Sequence, residues 1–278
     1  LGGRVTQESR LPGLAAWSRV LDYRLGQIRQ MDNVETYLGS EVIVEDILEF
    51  GSEHVVVATG SRWRNDGVGR HHLIPQKFSE ANTYTPDDIF AGRLPRGKVV
   101  IYDDDHFYLG GVLAELCQKN GCEVTLVTPA ALVSSWTVHT LEQEMIEADL
   151  LKKGIRIVTR HVVHPGKILI PESEPYAVHI YTKEVKILEC DALVLVTARL
   201  PNSGLESALE QVRDSWNDAG IKSVTRIGDS LAPATIAAAV YSGHRYAREL
   251  DEEIDPDRVP FERELTAIAP EPDWKTFW

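Results

Sequence analysis

The stretch that decides the fold is Val99-Val100-Ile101-Tyr102-Asp103-Asp104-Asp105-His106-Phe107-Tyr108-Leu109-Gly110-Gly111. It runs from an apolar strand into the glycines that open a helix, as in a nucleotide-binding βαβ unit, where bare backbone and a helix N-terminus face a pyrophosphate. Asp103 and Asp105 stand roughly where such a unit has the first two glycines of G-x-G-x-x-G. Their bulk and their negative charge both oppose a bound diphosphate. The stretch therefore predicts a βαβ unit that has lost its ligand.

A second interpretation of the Asp103–Asp105 cluster is a divalent-metal site. Three adjacent residues at a strand end cannot all face one ion, so we favour a degenerate nucleotide site or a solvated charged turn. The histidines show no spacing typical of a metal-binding helix or a catalytic triad, and we expect them in loops or on the surface. They include His71, His72, His161, His164, His179 and His244. No catalytic residue and no metal ligand is predicted.

The composition of the chain limits the kinds of partner that it can bind. The net charge of −13 disfavours nucleic acids and anionic membranes, which would repel the protein at long range. The three cysteines form no C-x-x-C pair and are too few for a disulfide framework, which indicates reduced thiols in a cytoplasmic protein. No apolar run approaches the roughly 18 residues of a membrane-spanning helix. We therefore expect small molecules or proteins as partners.

Alternating strands and helices predict an α/β fold with two nested Rossmann-like domains. We assign residues 1–95 and 200–255 to an outer, discontinuous ADP- or FAD-binding-like domain. Residues 96–199 form an inserted, degenerate NAD-binding-like domain, and residues 256–278 an extended tail. Because the chain enters directly into a glycine loop, we expect the first βαβ unit of the outer domain to be missing at the N-terminus.

Local patterns give further expectations within this plan. Apolar spacing predicts a short strand over Asn33–Tyr37 and helices over Thr140–Lys153 and Pro233–Glu252. Short alternating segments from Gly166 to Cys190, beginning with Lys167–Ile170, predict an antiparallel meander.

Three short motifs carry the binding prediction. Gly228-Asp229 ends a strand just before a long helix, although a plain Gly-Asp turn and cap explains that pair equally well. Thr59-Gly60 ends another strand, and a partly matching repeat of this motif occurs at Val196-Thr197-Ala198-Arg199. Leu1-Gly2-Gly3-Arg4 resembles a loop that runs along a diphosphate.

Together these motifs resemble the C-terminal, reductase-like part of the family of trimethylamine dehydrogenase, histamine dehydrogenase and dimethylglycine demethylase-type enzymes. The resemblance rests on the following stretches: Leu1–Arg4, Leu11–Leu14, Ala58–Trp63, Asp103–His106, Tyr108–Gly111, Val196–Pro201 and Ile227–Pro233. It covers nearly the whole chain and fades in the last residues.

The resemblance implies a flavoprotein disulfide-reductase-like fold that binds ADP, or FAD, and lacks a working NAD site. It implies nucleotide contacts from Gly2, Gly3, Arg4, Thr59, Gly60, Gly228 and Asp229. It also implies an N-terminal TIM barrel, outside this sequence, that carries FMN and a [4Fe–4S] cluster and oxidises a small amine. Electron-transferring flavoprotein as acceptor and a homo-oligomeric assembly are expected from the same resemblance.

Two other functions stay open from the sequence. One is an NAD(P)H-dependent FAD oxidoreductase in which His106–Gly111 forms an unusual cradle. The other is a non-catalytic interaction module that keeps the fold without a ligand.

Overall fold

The computed structural model describes residues 1–166, 175–250 and 252. The helices are α1 (Gly3–Glu8), α2 (Ser18–Ile28), α3 (Val44–Phe50), α4 (Pro86–Phe90), α5 (Leu109–Lys119), α6 (Gln143–Lys152), α7 (Gly204–Gln211) and α8 (Ile236–Glu249). The strands are β1 (His54–Val57), β2 (Ser61–Trp63), β3 (Thr83–Tyr84), β4 (Lys98–Asp103), β5 (Glu123–Val127), β6 (Arg156–Val158), β7 (His161–His164), β8 (Tyr176–His179), β9 (Val185–Ile187), β10 (Ala192–Val196), β11 (Arg199–Pro201) and β12 (Ser223–Arg226).

A five-stranded parallel sheet forms the centre of the molecule, in the order β3-β10-β4-β5-β6. Its inner strands are continuous apolar runs, which is the pattern of strands buried on both faces. Ile101 faces the core formed with α5 and α6, whereas Tyr102 faces the core shared with the antiparallel sheet β7-β8-β9. The alternation of strand side chains thus builds two cores from one sheet.

A second parallel pair, β1 with β12, lies apart from this sheet. One of its faces packs on α3 and α7, with Val57, Leu209 and Trp216 in the shared core. The antiparallel ribbon β2-β11 connects the two parts, and Trp63 pairs there with Arg199. The predicted α/β class with parallel sheets is confirmed, whereas the assignment of two nested domains stays a prediction.

Some local expectations are wrong. Residues 33–37 form no strand, because no strand of the described residues pairs with them and Tyr37 lies exposed. Helix α6 begins at Gln143 instead of Thr140, since Leu141 adopts a left-handed backbone with φ 61°. Helix α8 begins after Thr235, whose side chain accepts a hydrogen bond from the N–H of Ala238. The expected strand at residues 167–170 and the tail at 256–278 lie outside the described residues.

None of the helices in the described part of the chain combines the length and apolar character that a bilayer crossing requires.

Gly110 and Gly111 open α5 against different neighbours, and this difference is testable. A Cβ at Gly110 would lie 2.7 Å from Cγ of the fully buried Asp103, whereas one at Gly111 would lie 3.3 Å from Cδ1 of Leu150. We expect Gly110→Ala to lower the free energy of unfolding by about 1–3 kcal/mol. The matched Gly111→Ala should change it by less than about 1 kcal/mol, because higher helix propensity offsets a small shift of Leu150. Urea unfolding followed by circular dichroism measures both, and equal effects would contradict the close packing of Asp103 on Gly110.

Candidate functional site

An open cleft of about 630 Å³ lies at the carboxyl ends of β1 and β12. This edge is where parallel α/β sheets bind ligands. Ala58, Gly60 and Gly228 line the cleft on the strand side. Apolar side chains of α2 and α8 form its walls, and they include Val20, Leu21, Leu25, Ile236 and Val240. The charged groups on its surface are those of Arg4, Arg24 and Asp229.

The Asp229 carboxylate joins distant parts of the chain. Its Oδ2 accepts hydrogen bonds from Arg4 Nη1 at 3.1 Å, Arg199 Nη1 at 2.7 Å and Ser61 Oγ at 3.2 Å. Its Oδ1 accepts from the Ala234 N–H at 3.1 Å. Both arginines also donate to the Ala234 carbonyl, each at 2.8 Å. The carboxylate is therefore engaged inside the protein and positions two guanidinium groups.

Arg4 has a second carboxylate partner. Its Nε donates to Glu8, one turn further along α1, and Tyr108 donates to the other Glu8 oxygen. Glu8 is only 1% exposed. Burial works against the charge of Arg4, but Glu8, Tyr108 and Asp229 outweigh it and hold the pKa of Arg4 above its usual value. Arg4 is thus a fixed, permanently charged group at the cleft.

The predicted contact residues divide into two groups. Gly2, Arg4, Gly60, Gly228 and Asp229 are brought together around the cleft. Gly3 and Thr59 are not among its lining residues, since Gly3 begins α1 and the Thr59 hydroxyl donates to the Asn202 carbonyl at 2.5 Å. The expected loop at residues 1–4 is in part a helix.

Position 2 requires a glycine because of its backbone conformation and its close neighbouring atoms. Its φ is 103°, and an added Cβ would lie 2.5 Å from Thr6 Oγ1 and 2.8 Å from the Leu21 methyl groups. A side chain there would be strained and would also clash. The glycine brings the first turn of α1 against α2 beside the cleft.

The aspartate cluster differs from the predicted charged turn. Asp103 and Asp104 are fully buried, because the loop between β2 and β3 and the segment after β4 cover this strand end. Asp103 Oδ1 accepts from the N–H groups of His106 and Asp105, at 3.0 and 3.2 Å. Burial raises the pKa values of Asp103 and Asp105 to about 7. A solvated, fully ionised trio is therefore the wrong description of this cluster.

The N-terminus of α5 is closed by packing. Arg4, Trp63 and Arg199 lie against Tyr108 and Leu109 and leave a cavity of about 10 Å³. A cavity of that size holds at most one water molecule. The place where a dinucleotide-binding unit would hold a pyrophosphate is filled by the side chains of Arg4, Trp63 and Arg199.

The expectation that the histidines lie in loops or on the surface holds for His71 and His72, in the loop between β2 and β3, and is wrong for His161, His164 and His179, which lie in β7 and β8. His71 and His106 both contact the buried carboxylate of Asp104, at 2.7 and 3.2 Å. Burial disfavours ionisation of Asp104, but the hydrogen bonds from His106 and His71 outweigh it and lower its pKa.

His72 and His164 form a second pair, with ring centroids 4.6 Å apart. The Val163 carbonyl lies 3.0 Å from His72 Nε2, and Gln76 Nε2 lies 3.0 Å from His72 Nδ1. Burial lowers the pKa of His72, and burial together with the neighbouring His72 lowers the pKa of His164 to about 4. Both rings are therefore neutral at pH 7.

Solved structures match the chain over most of its length. Histamine dehydrogenase from Rhizobium sp. 4-9 is 48% identical and superposes with a TM-score of 0.89, over 97% of this chain and 42% of that protein. The 6-hydroxypseudooxynicotine amine oxidase of Pseudomonas geniculata N1 is 39% identical with a TM-score of 0.81, over 87% of this chain and 36% of that protein. Among curated proteins, dimethylamine dehydrogenase of Hyphomicrobium sp. (strain x) is 29% identical over 298 aligned positions, covering 96% of this chain and 39% of the relative.

The chain is homologous to a C-terminal part of histamine dehydrogenase and dimethylamine dehydrogenase. It is thereby related to the amine dehydrogenases of the trimethylamine dehydrogenase family, as the sequence motifs predicted. The chain spans about two fifths of the length of these relatives. A more distant match, 2-naphthoyl-CoA reductase, is 18% identical with a TM-score of 0.67 and shares the fold. No protein-family model matches the chain.

Sequence reasoning missed several residues of this site. Arg199 ends the motif Val196-Thr197-Ala198-Arg199, but only the fold brings it to Asp229, 30 positions away. The spacing of Arg4 and Glu8 was an available signal, because residues four apart pair on one helix face. Nothing local could place Tyr108, which reaches Glu8 from 100 positions away.

Asp229 gives a stability prediction. Asp229→Ala removes the carboxylate that Arg4 and Arg199 share, and the Arg199 side chain is only 7% exposed. Because a buried cation left without its partner is costly, we expect the free energy of unfolding to fall by about 2–4 kcal/mol. Asp32→Ala, at an exposed carboxylate, should change it by less than about 0.5 kcal/mol. Chemical unfolding of both variants tests this, and an Asp229→Ala protein as stable as the control would contradict the proposed coupling.

His164 gives a pH prediction. Its pKa is about 4 in the folded protein and near 6.5 when unfolded, so the unfolded chain binds the proton more tightly. The neutral ring of His164 therefore contributes to the free energy of unfolding above pH 6.5, and this contribution is lost as the pH falls toward 4. We expect His164→Phe, which keeps the stack on Tyr176, to lose less stability than the native chain between pH 7 and pH 5. Thermal unfolding across this range measures the slope, with exposed His139→Phe as a control that should keep the native slope.

Proposed function

We propose that this chain is the ADP-binding, reductase-like part of an amine dehydrogenase whose FMN and [4Fe–4S] cluster are held outside it. The observation that carries the proposal is the cleft at the carboxyl ends of β1 and β12, with Arg4 fixed at its rim. Homology to histamine and dimethylamine dehydrogenases supports an amine as the substrate of the whole enzyme. The reaction would be oxidative deamination or demethylation, with electrons passed to an acceptor protein.

The cleft fits a nucleotide in size and chemistry. Its volume of about 630 Å³ lies within the range of small-molecule and cofactor sites. The apolar walls of α2 and α8 suit an adenine ring, and the guanidinium groups of Arg4 and Arg24 suit a diphosphate. Since Glu8 and Asp229 already hold Arg4 in place, little side-chain freedom is lost when an anion binds. ADP supplies no redox chemistry, whereas FAD in the same cleft would supply a second flavin.

The chain's own cysteines do not suit a [4Fe–4S] cluster. Such a cluster takes four cysteine thiolates, and this chain has three cysteines. Cys117 is buried, and burial raises its pKa to about 12, so its thiol stays protonated. The proposed cluster and FMN would therefore be bound by the N-terminal TIM barrel of the enzyme. The barrel and electron-transferring flavoprotein are the proposed partners, in a homo-oligomer of cytoplasmic location.

Packing disfavours an NAD(P)H-dependent oxidoreductase. The cavity of about 10 Å³ at the start of α5 leaves no room for a pyrophosphate. We propose that the inserted domain, residues 96–199, has lost dinucleotide binding and that nucleotide binding belongs to the outer domain, residues 1–95 and 200–255. These are the two nested domains of a flavoprotein-reductase-like fold.

Titration calorimetry with ADP of the whole enzyme to which we propose this chain belongs tests this proposal. We expect one ADP per chain, and affinity reduced at least about tenfold by Arg4→Gln or Arg24→Gln, because each removes one cation from the diphosphate. Arg24→Gln is the cleaner variant, since the Arg24 guanidinium donates to the Val20 carbonyl and its loss disturbs no carboxylate network. Exposed Arg10→Gln is the matched control and should bind as the native chain does.

Two results would overturn the proposal. One is the absence of binding by ADP and by FAD; the other is binding that both cleft variants leave unchanged. Mass spectrometry of the denatured protein distinguishes ADP from FAD as the nucleotide it carries. Stoichiometric binding of NADH would instead favour the oxidoreductase.

A further inference from the structure

His71, Asp104 and His106 bring three metal-ligating atoms together outside the cleft. These atoms lie within 4.8 Å of one another. Asp104 Oδ1 is 2.7 Å from His71 Nδ1 and 3.2 Å from His106 Nε2. Asp104 and His106 follow β4, and His71 comes from the loop between β2 and β3. The group therefore sits at the carboxyl edge of the central parallel sheet, the edge at which such sheets bind ligands.

Two of these side chains, Asp104 and His106, have further hydrogen-bond partners on the side away from the shared ligand atoms. Asp104 Oδ2 accepts from the backbone N–H of His71 at 2.9 Å, which leaves Oδ1 to face both rings. On the far side of its ring, His106 Nδ1 lies 3.4 Å from Thr128 Oγ1. An outer hydrogen bond of this kind sets the tautomer and the orientation of a metal-binding imidazole.

The tautomer decides what can lie between His106 and Asp104. Thr128 Oγ1 accepts from the Ala130 N–H at 3.3 Å and has a second lone pair for a proton on His106 Nδ1. With the proton on Nδ1, Nε2 presents a lone pair to Asp104 Oδ1, which is also an acceptor. A metal ion between these two acceptors, 3.2 Å apart, satisfies both, whereas the other neutral tautomer, with Thr128 Oγ1 donating to Nδ1, places an Nε2–H···Oδ1 hydrogen bond there.

The backbone of His106 is also unusual. Its φ of 67° lies in the left-handed region, which is unfavourable for a residue with a side chain. Hydrogen bonds to Asp103 Oδ1 from its N–H and to its carbonyl from the Trp136 N–H, both 3.0 Å, hold it there. The strained conformation directs the imidazole at Asp104, and such strain concentrates at functional sites.

We propose that His71, Asp104 and His106 bind a divalent transition-metal ion. Two imidazole nitrogens with one carboxylate oxygen suit Zn²⁺ and its first-row neighbours, whereas Mg²⁺ and Ca²⁺ require more oxygen ligands. Asp104 and His106 are buried, but the His71 side chain is 37% exposed, which leaves a path for the ion and a water as fourth ligand. The ion ties the loop between β2 and β3 to the end of β4. It occupies an edge of the central sheet from which the dinucleotide is excluded.

Titration of the tag-free, EDTA-treated chain with Zn²⁺, and with Co²⁺ as a spectroscopic probe, tests the site. We expect one ion per chain and a Co²⁺ visible spectrum of four-coordinate type. His71→Ala should weaken binding by more than the roughly 10–100-fold that loss of an outer partner costs, and Thr128→Val should weaken it within that range. Asp104→Asn and His106→Asn complete the set, since asparagine keeps the size of one residue and tolerates the left-handed backbone of the other. Exposed His139→Ala is the control and should bind as the native chain does.

The exposed position of His71 keeps the test valid if a buried variant fails to fold. Circular dichroism before each titration identifies the folded variants. A folded native chain that binds no stoichiometric metal would show that a hydrogen bond alone joins His106 to Asp104, and would overturn the proposal. Binding unchanged in His71→Ala and Thr128→Val would overturn it equally, because the ion would then lie elsewhere. Nucleotide binding in the cleft is measured separately and does not decide this result.

Discussion

The carboxylate of Asp229 is the constraint on which the rest of this structure depends. It holds Arg4 from the start of the chain, Arg199 from the end of the central segment and the N–H of Ala234 before α8. A buried ion pair contributes little net stability when it forms, because desolvation offsets the attraction, but it is costly to leave one member alone. The network therefore fixes geometry more than it adds stability. It aligns α1, β11 and α8, and so shapes the cleft and closes the start of α5.

Sequence predicted the fold where local pattern and burial agree. The apolar run of β4 and the helix after it were recognisable because strands buried on both faces have a composition of their own. The strand expected at Asn33–Tyr37 failed because an extended segment needs a partner, which pattern alone does not reveal. The expected contact residues Gly60, Gly228 and Asp229 lie at the cleft because Thr-Gly and Gly-Asp pairs mark strand ends, whereas Gly2 and Arg4 reach it from the start of α1.

The polar sites were less predictable, for a physical reason. Whether Asp103 and Asp104 face water depends on a loop that precedes them by some 30 residues, and their burial changes both their charge and their role. His71 reaches Asp104 across 33 positions of sequence. The carboxyl edges of the two parallel sheets thus differ. Small residues such as Gly60 and Gly228 keep the edge of β1-β12 open, whereas buried polar side chains fill the edge of the five-stranded sheet.

The ribbon β2-β11 determines how the segment between its two strands is attached to the rest of the protein. Trp63 and Arg199 are cross-strand partners, so the chain leaves the β1-β12 part and returns to it at neighbouring points, roughly 5 Å apart. The chain that forms the five-stranded sheet is thus joined covalently to the β1-β12 part through the two strands of this ribbon, and contacts such as that between Tyr108 and Glu8 also hold the two parts together. A segment whose two ends lie on neighbouring strands can change in length without altering the register of Trp63 with Arg199.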